Sequence, residues 1–173
     1  VQVVRGGGSS LHGSGALGGV ISVETVDAAD PLAPGQTMGA RVMLGFGDNG
    51  AQWNASTTLY ADHGMVDLLF FLGGRQITED IEAGGGLPVP FSQLDRANTL
   101  FKIGVEPDDE NRIEFSYAFY TDEGLTPPNS NDNPDPVSNA VVAREADVQD
   151  LRLSWEYQPS GSDLVDLSVL FYA

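Results

Sequence analysis

Ile113-Glu114-Phe115-Ser116-Tyr117-Ala118-Phe119 alternates a large apolar side chain with a small or polar one at every step. A period of two marks a strand with one face against an apolar phase and the other against a polar one. The same alternation recurs in Val42, Leu44, Phe46; in Trp53, Ala55, Thr57, Leu59; in Val66, Leu68, Phe70, Leu72; in Phe101, Ile103, Val105; in Leu151, Leu153, Trp155, Tyr157; and in Val165, Leu167, Val169, Phe171. These seven runs predict an all-β chain. Lys102, Glu114, Ser116, Asp150, Arg152, Ser154, Glu156, Asp166 and Ser168 fall on the opposite face, which suits a wet lumen better than a dry core.

Alternation alone also fits a soluble antiparallel sandwich with its polar residues outside, so a secreted acidic β-rich binding or adhesion module is the alternative. Length favours the membrane. Each run spans about nine to eleven residues, the reach of a tilted membrane strand, whereas globular strands cluster nearer about five or six. Connections are short around Asp48-Asn49, Asp62-His63-Gly64, Pro107 to Asn111 and Ser160 to Asp163, and long over 76–96 and 121–147. Short turns force hairpins, which predicts a meander of sequence neighbours with residues 1–25 outside it. The turns at Asp62, Asp108 and Gly161 then share one side, the inner, and Gly47-Asp48-Asn49-Gly50 is a short turn on the outer side. Every Trp, Tyr and Phe except Phe91 falls in a predicted strand. Phe46, Trp53, Tyr120 and Tyr172 are expected to form an outer interfacial girdle, and Tyr60, Trp155 and Tyr157 an inner one.

Twenty-five acidic residues against eight basic ones give a net charge of −17. Such a field repels nucleic-acid phosphates and excludes that class of partner. In a soluble protein the acidity would serve solubility; in a barrel it would line the lumen and the outer loops. No cysteine is present, which excludes disulfides and thiolate metal sites. No apolar run is long enough for a membrane helix. The chain opens and closes inside strand patterns, so it is expected to be a segment of a longer protein. Residues 26–36, with Asp27, Asp30, Pro31, Pro34 and Gly35, interrupt both periodicities and place a domain boundary, dividing 1–36 from 37–173.

Val1 to Thr25, VQVVRGGGSSLHGSGALGGVISVET, flanks a loop with glycine at seven of its fourteen positions, 6–19, by two short apolar strands. Gly13, Gly15 and Gly18 spell G-x-G-x-x-G, but Val20, Ile21 and Val23 continue as a β-branched strand where a dinucleotide fold needs a helix. The kinase motifs V-A-I-K, H-R-D and D-F-G are absent. The stretch instead resembles the end of the plug domain of TonB-dependent outer-membrane receptors. Arg5-Gly6, Ser9-Ser10-Leu11 and Gly13 to Ile21 carry the likeness, including Gly15, Gly18 and Gly19. The continuation Ser22 to Asp30 with Pro34-Gly35-Gln36 is most similar to the haem and haemoglobin receptor branch. Gln2, Gly7 and His12 depart from its usual glutamate, proline and tyrosine.

The resemblance implies that residues 1–36 end a plug and that 37–173 begin a transmembrane barrel, about seven strands of the roughly 22 that such barrels close with. It implies no enzyme, and uptake across the bacterial outer membrane of haem, taken from haemoglobin in some receptors of this branch. A ferric siderophore or cobalamin is the alternative cargo. TonB, reached through a segment outside this sequence, would pull the plug, and the lipid bilayer would surround the barrel.

No catalytic constellation is present. His12 and His63 lack H-E-x-x-H spacing and an evident nucleophile partner. His12 is a candidate axial ligand to haem iron, or else a ring that packs the plug; His63 reads as a solvated turn residue. Arg5 is a candidate for a bidentate pair to a lumen carboxylate, with an ordinary surface arginine as the alternative. Pro127 to Pro136 offers hard oxygen ligands, but its prolines break the spacing of a calcium loop and it reads as a solvated outer loop. Asn54-Ala55-Ser56 matches a glycosylation sequon but lies in a predicted strand.

Overall fold

A computed structural model describes residues 2–5, 19–22, 25–129, 134–162 and 164–173. Its strands in chain order are β1 (Gln2–Arg5), β2 (Gly19–Ser22), β3 (Met38–Gly47), β4 (Gln52–Asp62), β5 (Val66–Ile77), β6 (Ile81–Glu82), β7 (Pro88–Val89), β8 (Leu94–Asp108), β9 (Asn111–Thr126), β10 (Val142–Tyr157) and β11 (Leu167–Tyr172). Seven of them form one antiparallel sheet in the order β11-β10-β9-β8-β5-β4-β3. Each of the seven thus lies beside the strands that precede and follow it in the meander, as the short turns require. Among the described residues β1 and β2 pair with each other alone, antiparallel, from Gln2 opposite Ser22 to Arg5 opposite Gly19.

Registers carry the faces from strand to strand, because residues directly opposite each other project to the same side. Leu44 faces Ala55, Leu59 faces Phe70, Ile103 faces Phe115, and Phe115 faces Leu153, which in turn faces Phe171. The apolar runs of all seven strands therefore merge into one continuous band on one side of one sheet. That band is open rather than packed: Val42 is 63% exposed, Leu44 80% and Phe171 64%. A sandwich would bury these positions against a second sheet, and that alternative is excluded. Only Ala28, Leu69 and Ile77 are buried apolar residues among those described, so the described residues form no dry core.

Three expectations about where strands end are corrected. Residues 121–126 and 142–147 are not loop: β9 and β10 stay paired up to Thr126 and Val142. Here both faces carry polar residues, such as Glu123 and Glu145 opposite each other on the side that is apolar lower down. A strand that leaves the apolar phase loses its alternation without losing its hydrogen bonds. β5 likewise runs to Ile77 and β8 starts at Leu94, so the connection between them, residues 78–93, is shorter than expected and holds the small β6–β7 hairpin. Conversely, Val165 and Asp166 precede β11 rather than belonging to it.

The aromatic girdles are also thinner than expected. Phe46, Trp53, Trp155 and Tyr157 lie on the apolar face, where Phe46 pairs with Trp53, and Trp155 stacks on Tyr157 at 6.3 Å. Tyr60, Tyr120 and Tyr172 lie on the opposite face, opposite Gly39, Val148 and Arg152 respectively. Their even numbers in β4, β9 and β11 fix this, since neighbouring residues point to opposite sides.

Candidate functional site

All seven basic residues of the sheet, Arg41, Arg75, Arg96, Lys102, Arg112, Arg144 and Arg152, occupy the face opposite the apolar band. Two ionic clusters organise this polar face. The first lies near the turns that connect β4 to β5 and β8 to β9. Lys102, buried in the middle of Phe101-Lys102-Ile103, bonds Asp27 of the connector, residues 26–36, and reaches Glu114 at 3.3 Å. Arg112 meets Asp67 at 2.9 Å, Glu106 at 2.6 Å and Glu114 at 3.2 Å. Gly104 sits opposite both Asp67 and Glu114, and a Cβ there would run into the Asp67 carboxylate. The absence of a side chain is what lets the carboxylate and the Arg112 guanidinium close over this position.

The connector is thereby tied to the sheet. Its own turns are local: the Asp27 amide donates to the Asp30 carboxylate at 2.9 Å, and the Gln36 amide to the Ala33 carbonyl at 2.9 Å. Ala28 is 1% exposed, so the segment is seated and not merely bridged by one ion pair. Between connector and sheet lies a polar cavity of about 830 Å³, bordered by Asp27, Lys102, Arg112, Glu114, Arg152 and Ser154.

The second cluster lies at the other end, beneath the long connections. Asp122, buried, accepts from Arg96 at 3.1 Å, Arg144 at 2.8 Å and the Tyr120 hydroxyl at 3.1 Å. Arg75 stands directly opposite Arg96 and donates to Gln52 at 2.9 Å. Beyond it the turn after β3 holds the next connection, with Asn49 donating to the Glu82 carbonyl at 3.0 Å and accepting from the Glu82 amide at 2.7 Å.

Of the sequence-predicted site residues, His12, Gly6, Gly13, Gly15 and Gly18 lie outside the described residues. So does the side chain of Arg5, whose backbone ends β1 opposite Gly19. His63 is exposed in the turn after β4. In the segment read against a calcium loop, residues 130–133 lie outside the described residues. Asp135 is engaged as a turn cap, accepting from the amides of Ser138 at 2.8 Å and Val137 at 2.9 Å. The Ser138 amide above all, then that of Val137, holds the Asp135 carboxyl below its ordinary pKa. Among the described residues no group of three or more His, Cys, Asp or Glu is placed to hold a metal ion.

Sequence reasoning missed both ionic clusters. The available signal was parity: each basic residue of a strand falls out of phase with that strand's apolar run.

No family model matches the chain. Among curated proteins, the chain is 30% identical over 172 residues to a hemin receptor of Yersinia enterocolitica, covering 99% of this chain and 25% of that protein. It is 36% identical over 117 residues to the heme transporter BhuA of Brucella ovis, covering 68% of this chain and 17% of that one. Among solved structures, the FrpB iron transporter from Neisseria meningitidis superposes with a TM-score of 0.80 and 27% identity, covering 98% of this chain and 28% of that chain. The chain thus spans about a quarter of the length of the first of these relatives. They are named receptors and transporters, not enzymes. With the glycine-rich motif of residues 1–25, the open seven-stranded meander, the unpacked apolar band and these likenesses in agreement, the chain belongs to the family of TonB-dependent outer-membrane receptors.

Proposed function

We propose that the receptor containing this chain takes up haem across the bacterial outer membrane. The observation that carries the proposal is the alignment of 99% of the chain with a protein named hemin receptor. In this reading residues 1–36 end the plug and 37–173 open the barrel wall. The apolar band meets lipid, and the polar face lines the passage. The end of the sheet that holds the long connections faces outward, where those connections would first meet haem or a haem-carrying protein such as haemoglobin. TonB, drawing on the inner membrane, would pull the plug from the periplasmic side. No bond is made or broken in the cargo; the work is binding and gating.

Asp27 and Lys102 supply the mechanical link in this chain, because a pull transmitted along the plug reaches the barrel wall first at the connector. The reading is tested in a strain lacking its own haem receptors and supplied with haem as the sole iron source. Expression of the full-length receptor should restore growth, and loss of the TonB-coupled energy supply should abolish it. Growth restored only by a ferric siderophore, or only cobalamin uptake, would overturn the haem assignment.

A further inference from the structure

At the end of the sheet away from the connector, one cross-strand row reads Asn54, Arg75, Arg96, Asp122, Ala146. Arg144 stands in the adjoining row opposite Gly124. Three guanidiniums therefore gather beside one carboxylate, Asp122, which bonds two of them, Arg96 and Arg144, in a chain whose net charge is −17. Like charges directly opposite each other, as Arg75 and Arg96 are, destabilise a sheet and need a reason. The other cluster offers a contrast: Lys102 and Arg112 share Asp27, Asp67, Glu106 and Glu114, two cations among four acids.

Asp122 is already engaged at both oxygens, which hold Arg96, Arg144 and the Tyr120 hydroxyl. Each arginine commits a single Nη2 to it, and the Nε atoms of both are shielded from solvent without a partner among the described residues. A guanidinium has five donors, so both side chains keep Nη donors to spare, and each remains more than a third exposed on the polar face. The shared carboxylate ties one Nη2 of each side chain, so the two guanidiniums are brought together before any ligand arrives. Gly124 leaves the floor beneath Arg144 clear: a Cβ there would come within 3.3 Å of its Nη2. Fixed guanidinium forks select planar oxyanions, above all carboxylates.

We infer that Arg75, Arg96 and Arg144 form a subsite that takes the carboxylates of the cargo, which in the haem reading are the two porphyrin propionates. The inference rests on that reading for the identity of the ligand but not for its charge. It also fits the adjoining row on the other face, Trp53, Gln76, Asp95, Glu123 and Glu145, which holds three acids and no cation. The cations are confined to the passage.

The test uses the full-length receptor in detergent, titrated with haemin and with haemin dimethyl ester, which keeps the iron and the ring but caps both carboxylates. Esterification should weaken binding to the wild type tenfold or more. The Arg96→Gln/Arg144→Gln variant should lose haemin affinity by a similar factor while binding the ester as the wild type does. Equal affinity of the wild type for haemin and ester, or loss of both ligands together in the variant, would overturn the subsite and leave the haem reading standing. A variant that melts lower with unchanged haemin affinity would overturn it too, assigning the arginines to pairs with the rest of the receptor. If the wild type binds neither porphyrin, the haem reading fails by itself, and two ferric siderophores decide the subsite. Variant-sensitive binding of an anionic ferric polycarboxylate, such as ferric citrate, supports it. Binding of only a neutral ferric trihydroxamate, or of neither, overturns it.

Discussion

Phe115→Arg is expected to destabilise the membrane-folded receptor by about 2–4 kcal/mol, the range for an arginine facing lipid near the midplane. Phe115 lies mid-run between Ile113 and Phe119, is flanked across the sheet by Ile103 and Leu153, and meets the ring of Phe101 at 6.4 Å and 58°. None of these neighbours carries an anion or a side-chain hydrogen-bond acceptor for a guanidinium. The position is also too central for the long side chain to reach the interface easily. The comparison belongs at Ser116, one residue along and on the other face. From the sequence alone an arginine at Ser116 is expected to be mild, but the register sets Ser116 between Lys102 and Arg152, so a third cation there would be repelled. Ser116→Gln is the proper control, and its effect should stay within about 0.5 kcal/mol. Urea unfolding of the full-length receptor in lipid vesicles measures both. Equal losses at the two positions would contradict the assignment of faces.

The second large effect concerns the connector. Lys102→Met is expected to cost about 2 kcal/mol, less than the roughly 3–5 kcal/mol of a fully buried pair broken from one side. Two features soften the loss: Asp27 is half exposed and can return to water, and Glu114 keeps Arg112 at 3.2 Å. Asp27→Asn should cost under about 1 kcal/mol, since Lys102 retains Glu114 and the changed side chain is half exposed. Both variants nonetheless cut the same tie between connector and sheet. Amide exchange over residues 27–36 should accelerate in both, whereas β8 and β9 should stay protected in the aspartate variant. Unchanged exchange in the connector would mean that Ala28 and the local turns seat it without the ion pair.

The sheet was largely legible because a strand between two phases writes its orientation into every second residue. Ile113 to Phe119 carries that pattern without a break, and the hairpin turns then leave one order of strands. Legibility ended where the phases end. Thr121–Thr126 and Val142–Asp147 carry charged residues on both sides, so alternation is broken, although the backbone pairing continues unchanged. Tyr60, Tyr120 and Tyr172 were misassigned for a different reason: an aromatic near a strand end suggests an interface, yet parity decides which side it faces.

The ionic sites were hidden by distance. Lys102 and Asp27 are separated by 75 residues, and Arg96, Asp122 and Arg144 come from three strands. Pairing across strands depends on register, and register follows from where each turn falls to within one residue. Lys102 did carry a trace in its flanks, since a lone lysine between Phe101 and Ile103 must either face a lumen or carry its partners with it.

The central claim is that one face of this sheet meets lipid and the other a polar passage. The sequence has no cysteine, so single cysteines can be introduced at residues 113–120 of this segment and spin-labelled. In the full-length receptor in bilayers, labels at 113, 115, 117 and 119 should collide with dissolved oxygen, which concentrates in lipid. Labels at 114, 116, 118 and 120 should respond instead to a water-soluble nickel chelate. Alternation with this phase is the predicted result; uniform accessibility along the segment, or alternation with the opposite phase, would contradict the account.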